Sequence, residues 1–183
     1  TVGQALPGVD LRIVDTKTGK PVSTGEIGII ELKGDNVFLG YWEMAEKTAE
    51  AFREDGYFIT GDMAQQDENG YVTIVGRDKD LIISGGLNIY PKEVEAIIDE
   101  LDGVVESAVI GVAHKDFGEG VVAVVVASDR ALSEENIKKF LKDKIAKFKQ
   151  PKEVFFVASL PRNTMGKVQK TELRKTYENV FIS

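Results

Sequence analysis

Apolar and polar residues alternate along VDLRIVD (9–15), and the turn-rich stretch GKPVSTGE (19–26) separates this run from IGIIELKG (27–34). A third strand is predicted at GYVTIVG (70–76), after the turn DENG. Between them MAEKTAEAFRED (44–55) has helical character and stops before Gly56. Short strands joined by Gly and Asp turns predict a small barrel-like or sandwich-like unit. From about Arg77 the period changes. YPKEVEAIIDEL (90–101) opens with Pro91, where a helix accepts proline, and sets Val94, Ile97, Ile98 and Leu101 on one face. VVESAVIGVAH (104–114) reads as a strand, and VVAVVVA (121–127) as a central strand covered on both faces. SEENIKKFLKDKIAKF (133–148) predicts a helix with a serine cap and a stripe of Ile137, Phe140, Leu141 and Ile145. A strand at EVFFVA (153–158) and a helix at KTELRKTYENVF (170–181) complete the pattern. The expected architecture is α+β in two parts: a β-rich, barrel-like unit over 1–77 and a compact α+β unit over 78–183. The charged link GRDKD (76–80) joins them.

Composition narrows the class. The 183 residues are 43% hydrophobic and 29% charged, ordinary for a water-soluble chain able to build a core. No apolar run approaches the ~20 residues that span a bilayer, so no membrane partner is expected. The start, TVGQALPGVD, lacks the basic and apolar segments of a signal peptide, and its missing initiator Met reads as part of something longer. The absence of cysteine excludes disulfides, thiolate zinc sites and cysteine nucleophiles, and fits a cytoplasmic setting. A net charge of −7 argues against nucleic acid as a partner. The charge is uneven, however: residues 133–175 carry 12 Lys and Arg against 5 Asp and Glu. Such a region is either a solvated helix face with a basic tail or a field that attracts a small polyanion.

Several chemistries can be set aside. The single His114 cannot form a two-histidine metal site, and it follows a strand with no serine partner in view. MGKV (165–168) has a Gly-Lys pair, but no glycine stands five residues before Gly166 and Val168 follows the lysine, so it is not a Walker phosphate loop. No metal site is expected from these residues. SGGLN (84–88) and GEGVV (118–122), taken alone, are turns.

Four stretches in order say more than any one: TGEIGIIELKGDNVFLGYW (24–42), DGYFITGD (55–62), GYVTIVGRDKDLIISGGLNIYPKEVE (70–95) and PRNTMGKVQK (161–170). Together they resemble the adenylate-forming superfamily, which includes acyl-CoA synthetases, firefly luciferase and the adenylation domains of peptide synthetases. The resemblance implies that Asp62 accepts hydrogen bonds from the ribose hydroxyls of ATP and AMP, a sound use of a carboxylate against a vicinal diol. It implies that Arg77 contacts the ribose and phosphate region. Lys79 falls at the hinge before a mobile C-terminal domain, where φ/ψ change is absorbed. Ser84, Gly85 and Gly86 match the loop that lines the pantetheine path of coenzyme A, where glycine lets backbone approach a thin ligand. Some relatives place a lysine where this chain has Ile83, and that role does not transfer.

Lys167 matches the catalytic lysine of the superfamily. An ammonium suits the role because the attacking carboxylate and the α-phosphate are both anionic as the acyl-adenylate forms. The same lysine is an acetylation site in bacterial relatives, which would make a lysine acetyltransferase a partner and remove the charge while keeping the stem. The resemblance thus implies an AMP-forming acid–thiol ligase. It would join a small carboxylate and coenzyme A through acyl-AMP with release of pyrophosphate, one mobile domain serving both steps. GVAHKDFGEGVVAVVV (111–126) and LPRNTMGKVQK (160–170) look most like malonyl-CoA synthetases. A fatty acyl-CoA synthetase, a carrier-protein-dependent adenylation domain and a non-catalytic module of the same fold are the alternatives. The superfamily's Ser/Thr/Gly-rich phosphate loop and its Tyr-Gly-x-Thr-Glu motif do not occur in this chain. Mg²⁺ ligands are therefore expected in a missing N-terminal part, and this chain alone is expected to be inactive.

Overall fold

The computed structural model describes residues 1–129 and 131–182, which divide into two compact units, Thr1–Lys79 and Asp80–Ser183. In the first unit four strands, β1 (Asp10–Val14), β2 (Gly28–Lys33), β3 (Phe58–Gln66) and β4 (Val72–Arg77), pair antiparallel in the order β1-β2-β3-β4. This is an open sheet rather than a closed barrel: β1 and β4 are its two edges. A short helix, α1 (Ala45–Ala51), lies between β2 and β3. β3 has no clean alternation of apolar and polar residues. Its Gly61, Asp62, Gln65 and Gln66 hide it in the sequence, and pairing on both edges makes the strand.

Ile13, Ile30, Ala64 and Val72 form the apolar core of this unit. Beside it stands a charge: Glu31 is completely buried on β2. Arg12 Nε donates to Glu31 Oε2 at 2.7 Å, and Arg53 Nε donates to Glu31 Oε1 at 2.7 Å. Arg12 also donates to both oxygens of Asp55, and that hydrogen bond holds the Asp55 carboxyl below its usual range. Two guanidiniums thus satisfy both oxygens of a carboxylate that water cannot reach.

The second unit has three layers. Its sheet follows the order β6-β5-β8-β7, from β5 (Ile82–Ser84), β6 (Leu87–Ile89), β7 (Val104–His114) and β8 (Gly118–Ala127). β9 (Glu153–Phe156) joins β8 in parallel, from Val122↔Glu153 to Val125↔Phe156. Alternate residues of β8 feed opposite faces. Val121, Ala123 and Val125 pack with Ile98 of α2 (Pro91–Ile98) and with Ile137 and Leu141 of α3 (Glu134–Leu141). Val122 and Val124 pack with Leu160 and with Leu173 of α4 (Lys170–Thr176). The unbroken apolar run follows from this two-sided burial.

Helix ends differ from the periodic pattern for local reasons. Ser133 caps α3 reciprocally: its Oγ accepts from Asn136 N, and Asn136 Oδ1 accepts from Ser133 N at 2.9 Å. The stripe continues to Ile145, but the helix stops at Leu141. The Gln150 side chain donates to the carbonyls of Lys142 and Ile145, closing the turn while Ile145 still packs on the core. α2 likewise ends at Ile98, with Leu101 packing from a following turn.

Removing Glu31 tests the buried charge. Glu31→Ala is expected to destabilise the protein by about 3 kcal/mol, at the low end for breaking a buried ion pair because both arginines keep some solvent contact. Urea unfolding reads the change. A loss under about 1 kcal/mol, the worth of an exposed pair, would show that the buried charge does not organise this unit.

Candidate functional site

Asp62 and Arg77 are direct partners on β3 and β4, and Arg77 Nε sits 2.6 Å from Asp62 Oδ1. Thr60 fixes both. Its hydroxyl donates to Ile30 O at 2.9 Å and accepts from Asp62 N at 3.0 Å, while its carbonyl accepts from Arg77 Nη1 at 3.1 Å. Gly61 makes this possible, because its φ of +71° is a conformation that a side chain would resist. A bulge between Met63 and Ala64 follows at once and re-aims the strand end. Asp62 keeps partial solvent access, so the pair presents a carboxylate acceptor and a guanidinium side by side. Lys79 is exposed and lies in a single 3-10 turn, Asp78–Asp80, where the two units meet in the chain.

Ser84, Gly85 and Gly86 are not a loop in the ordinary sense. They form the tip of a two-stranded hairpin, with Ser84 paired to Leu87 and φ values of +58° and +80° at the two glycines. Two successive positive φ values match the twist of a tight hairpin, and glycine adopts them freely. Gly85 N donates to Phe117 O at 2.8 Å, Ser84 pairs with Gly118 at the start of β8, and Ile83 N donates to Glu119 Oε2 at 2.6 Å. Lys152 Nζ lies 4.0 Å from the centroid of the Phe117 ring. His114, on the same edge, is packed between Phe117 and Phe181 with ring centroids 4.9 Å away from each. Its Nδ1 accepts from Asp116 N, so its contacts are structural.

Lys167 closes a second hairpin. Arg162 bridges to Val168, Gln169 N donates to Pro161 O at 2.8 Å, and Asn163 N donates to Lys167 O at 2.9 Å. Asn163 Oδ1 accepts from Met165 N at 3.0 Å and Lys167 N at 2.9 Å, and Gly166 has a φ of +77°. The glycine therefore serves a closed, hydrogen-bonded turn, from which the exposed Lys167 projects. The Asn-x-x-Gly spacing of Asn163 and Gly166 is a turn signal legible in the sequence.

The two hairpins stand at opposite ends of the β7–β8 ladder. The glycine hairpin meets β8 at Gly118, the partner of His114. The Lys167 hairpin is tied by Arg162 to Glu106, the partner of Val126. At about 3.3 Å per residue these ends are roughly 26 Å apart. Among the described residues no group of three or more His, Asp or Glu could hold a metal ion. No described helix is long and apolar enough to cross a membrane.

Comparison with known proteins gives the family. The model of the AMP-binding enzyme C-terminal domain matches residues 93–167, its last matched residue being Lys167, and the AMP-binding enzyme model matches residues 1–42. ATP-bound MatB from Rhodopseudomonas palustris is 58% identical, with a TM-score of 0.93 over 98% of this chain and 36% of its own. The chain belongs to the adenylate-forming AMP-binding enzymes. Indoleacetate–CoA ligase of Aromatoleum aromaticum is 44% identical over 96% of this chain and 34% of its own length. Malonate–CoA ligase of Arabidopsis thaliana is 38% identical over 98% and 31%. The chain thus spans about a third of the length of the relatives it matches.

The glycine hairpin yields a test of its own. Gly86→Val should cost about 1–2 kcal/mol, the penalty of a left-handed conformation for a branched side chain, although open space surrounds the position. Gly86→Asn should cost much less. Equal thermal unfolding of the two variants would show that backbone conformation is not what glycine supplies here.

Proposed function

We propose that this chain is the C-terminal third of an AMP-forming acyl-CoA synthetase. The whole enzyme converts a carboxylate, ATP and coenzyme A into acyl-CoA, AMP and pyrophosphate through an acyl-adenylate. The observation that carries the reading is the pair of hairpins at opposite ends of one sheet: an exposed ammonium at one end and an exposed glycine backbone at the other. Two tools so far apart cannot serve one small reacting centre together. A unit that turns about Lys79 presents them in succession, Lys167 for adenylation and Ser84–Gly86 for coenzyme A.

In the first step Lys167 lowers the repulsion between the attacking carboxylate and the α-phosphate, while Asp62 and Arg77 grip the ribose and phosphate side of the nucleotide. Mg²⁺, when bound, adds positive charge at the phosphates. In the second step the thiol of coenzyme A attacks the acyl carbonyl and AMP leaves. Among substrates, malonate is the reading favoured by the likeness of stretches 111–126 and 160–170 to malonyl-CoA synthetases and by the 58% identity to MatB. The setting is cytoplasmic. Acetylation of Lys167 by a lysine acetyltransferase would neutralise the ammonium and switch off adenylation.

Lys167→Ala in the intact enzyme is expected to slow adenylation at least about 10²-fold, as for loss of a group that stabilises transition-state charge. Thioester formation from supplied acyl-adenylate should persist. Pyrophosphate exchange and single-turnover transfer read the two steps separately, and unchanged exchange would sink the catalytic role. The 183-residue chain alone should give no ATP–pyrophosphate exchange; measurable exchange would show that its own residues complete the adenylation site.

A further inference from the structure

The Lys167 side chain has several rotatable bonds, so the fold can aim its ammonium only by fixing the backbone from which it leaves. Three groups do that, and none touches a reacting atom in the scheme above. The Asn163 carboxamide oxygen accepts from the Lys167 amide at 2.9 Å and the Met165 amide at 3.0 Å, closing the turn from inside. The Arg162 guanidinium divides its donors. Nη1 holds Gly166 O at 2.6 Å, and Nη2 pairs with the carboxylate of Glu106 on β7. Beyond the turn, Lys170 Nζ sits 2.5 Å from Oε1 of the buried Glu95, which also accepts Val109 N of β7 at 2.9 Å. The hairpin is therefore braced before and after Lys167, and both braces end at β7.

We propose that Asn163 and the Glu106–Arg162 pair are positioning residues for adenylation, holding the Lys167 backbone so that its ammonium arrives in one place. The proposal rests on the reading of Lys167 as the adenylation cation. Both groups are partly exposed and lie at the sheet end remote from the glycine hairpin. A surface turn that merely stabilised the domain would affect both half-reactions alike. A positioning brace affects only the step that uses Lys167, since displacement of a catalytic group by about 1 Å can cost up to about 10²-fold.

The test compares Asn163→Ala, Asn163→Asp, Glu106→Ala and Glu106→Gln with Lys167→Ala in the intact enzyme, together with the double variant Glu106→Ala/Lys167→Ala. Asn163→Ala and Glu106→Ala should lower the adenylation kcat about tenfold, leaving carboxylate KM and the thioester step near their starting values. Asn163→Asp should keep most of the rate, because its carboxylate accepts from the same two amides, and Glu106→Gln should fall between. In the double variant Glu106→Ala should add nothing to Lys167→Ala, because it acts through that side chain. In the 183-residue chain, Asn163→Ala but not Asn163→Asp should strip the Lys167 amide of hydrogen-exchange protection. If Lys167→Ala adenylates normally, the catalytic reading falls and takes this inference with it. If Lys167→Ala is slow while the brace variants run at full rate, or if the losses multiply in the double variant, this inference alone is overturned. Retained Lys167 amide protection in Asn163→Ala would overturn the Asn163 clamp.

Discussion

Burial of β8 on both faces is the constraint from which the second unit is built. Val121, Ala123 and Val125 face α2 and α3, Val122 and Val124 face α4, and these five side chains are essentially without solvent contact. A strand in that position must have its backbone paired along its length, because unpaired N–H and C=O groups are costly away from water. β7 supplies one edge, and β9 and the short β5 share the other. Both hairpins are thereby fixed to one ladder. Ser84 is fastened at Gly118, and the chain that leaves β9 turns back through Leu160 into the Lys167 hairpin.

The charged groups refine what the apolar core has placed. Glu95 on α2 is buried and would be costly alone. It accepts Val109 N and faces Lys170, so one carboxylate joins α2, β7 and the start of α4. Glu31 does the corresponding work in the first unit with Arg12 and Arg53. In both places loss of the basic partners leaves a carboxylate stranded away from water, which makes these pairs sensitive points. The glycine at Gly166 has a related logic: what looks in sequence like a flexible flank to Lys167 is a left-handed position inside a closed turn. Lys167 therefore leaves a hydrogen-bonded turn rather than a flexible loop.

Much of this was open to reading without coordinates. The run VVAVVVA can be buried on two faces only, and Pro91 and Ser133 mark helix starts by their own chemistry. The roles expected of Asp62, Arg77, Lys79, Ser84–Gly86 and Lys167 rest on a resemblance between ordered motifs, which is read along the chain without reference to distance in space. The mixed composition of β3, the three-residue strands β5 and β6, and the early stop of α3 were not legible. Each depends on a partner remote in sequence: both neighbours for β3, the Gly118 edge for β5, and the Gln150 amide for α3.

By itself the sequence determined the residue types, their spacing and the periods that bury one face or two. Those are local properties, and they were enough for the α+β class. Only the tertiary structure decided that the first sheet stays open, that the two hairpins lie at opposite ends of β7–β8, and that Asn163, Arg162 and Glu106 hold the Lys167 turn. The physical reason is the same in each case. Strand order, register and a charge pair across 56 residues are set by which surfaces meet, and a linear pattern of apolar and polar residues is compatible with several such meetings.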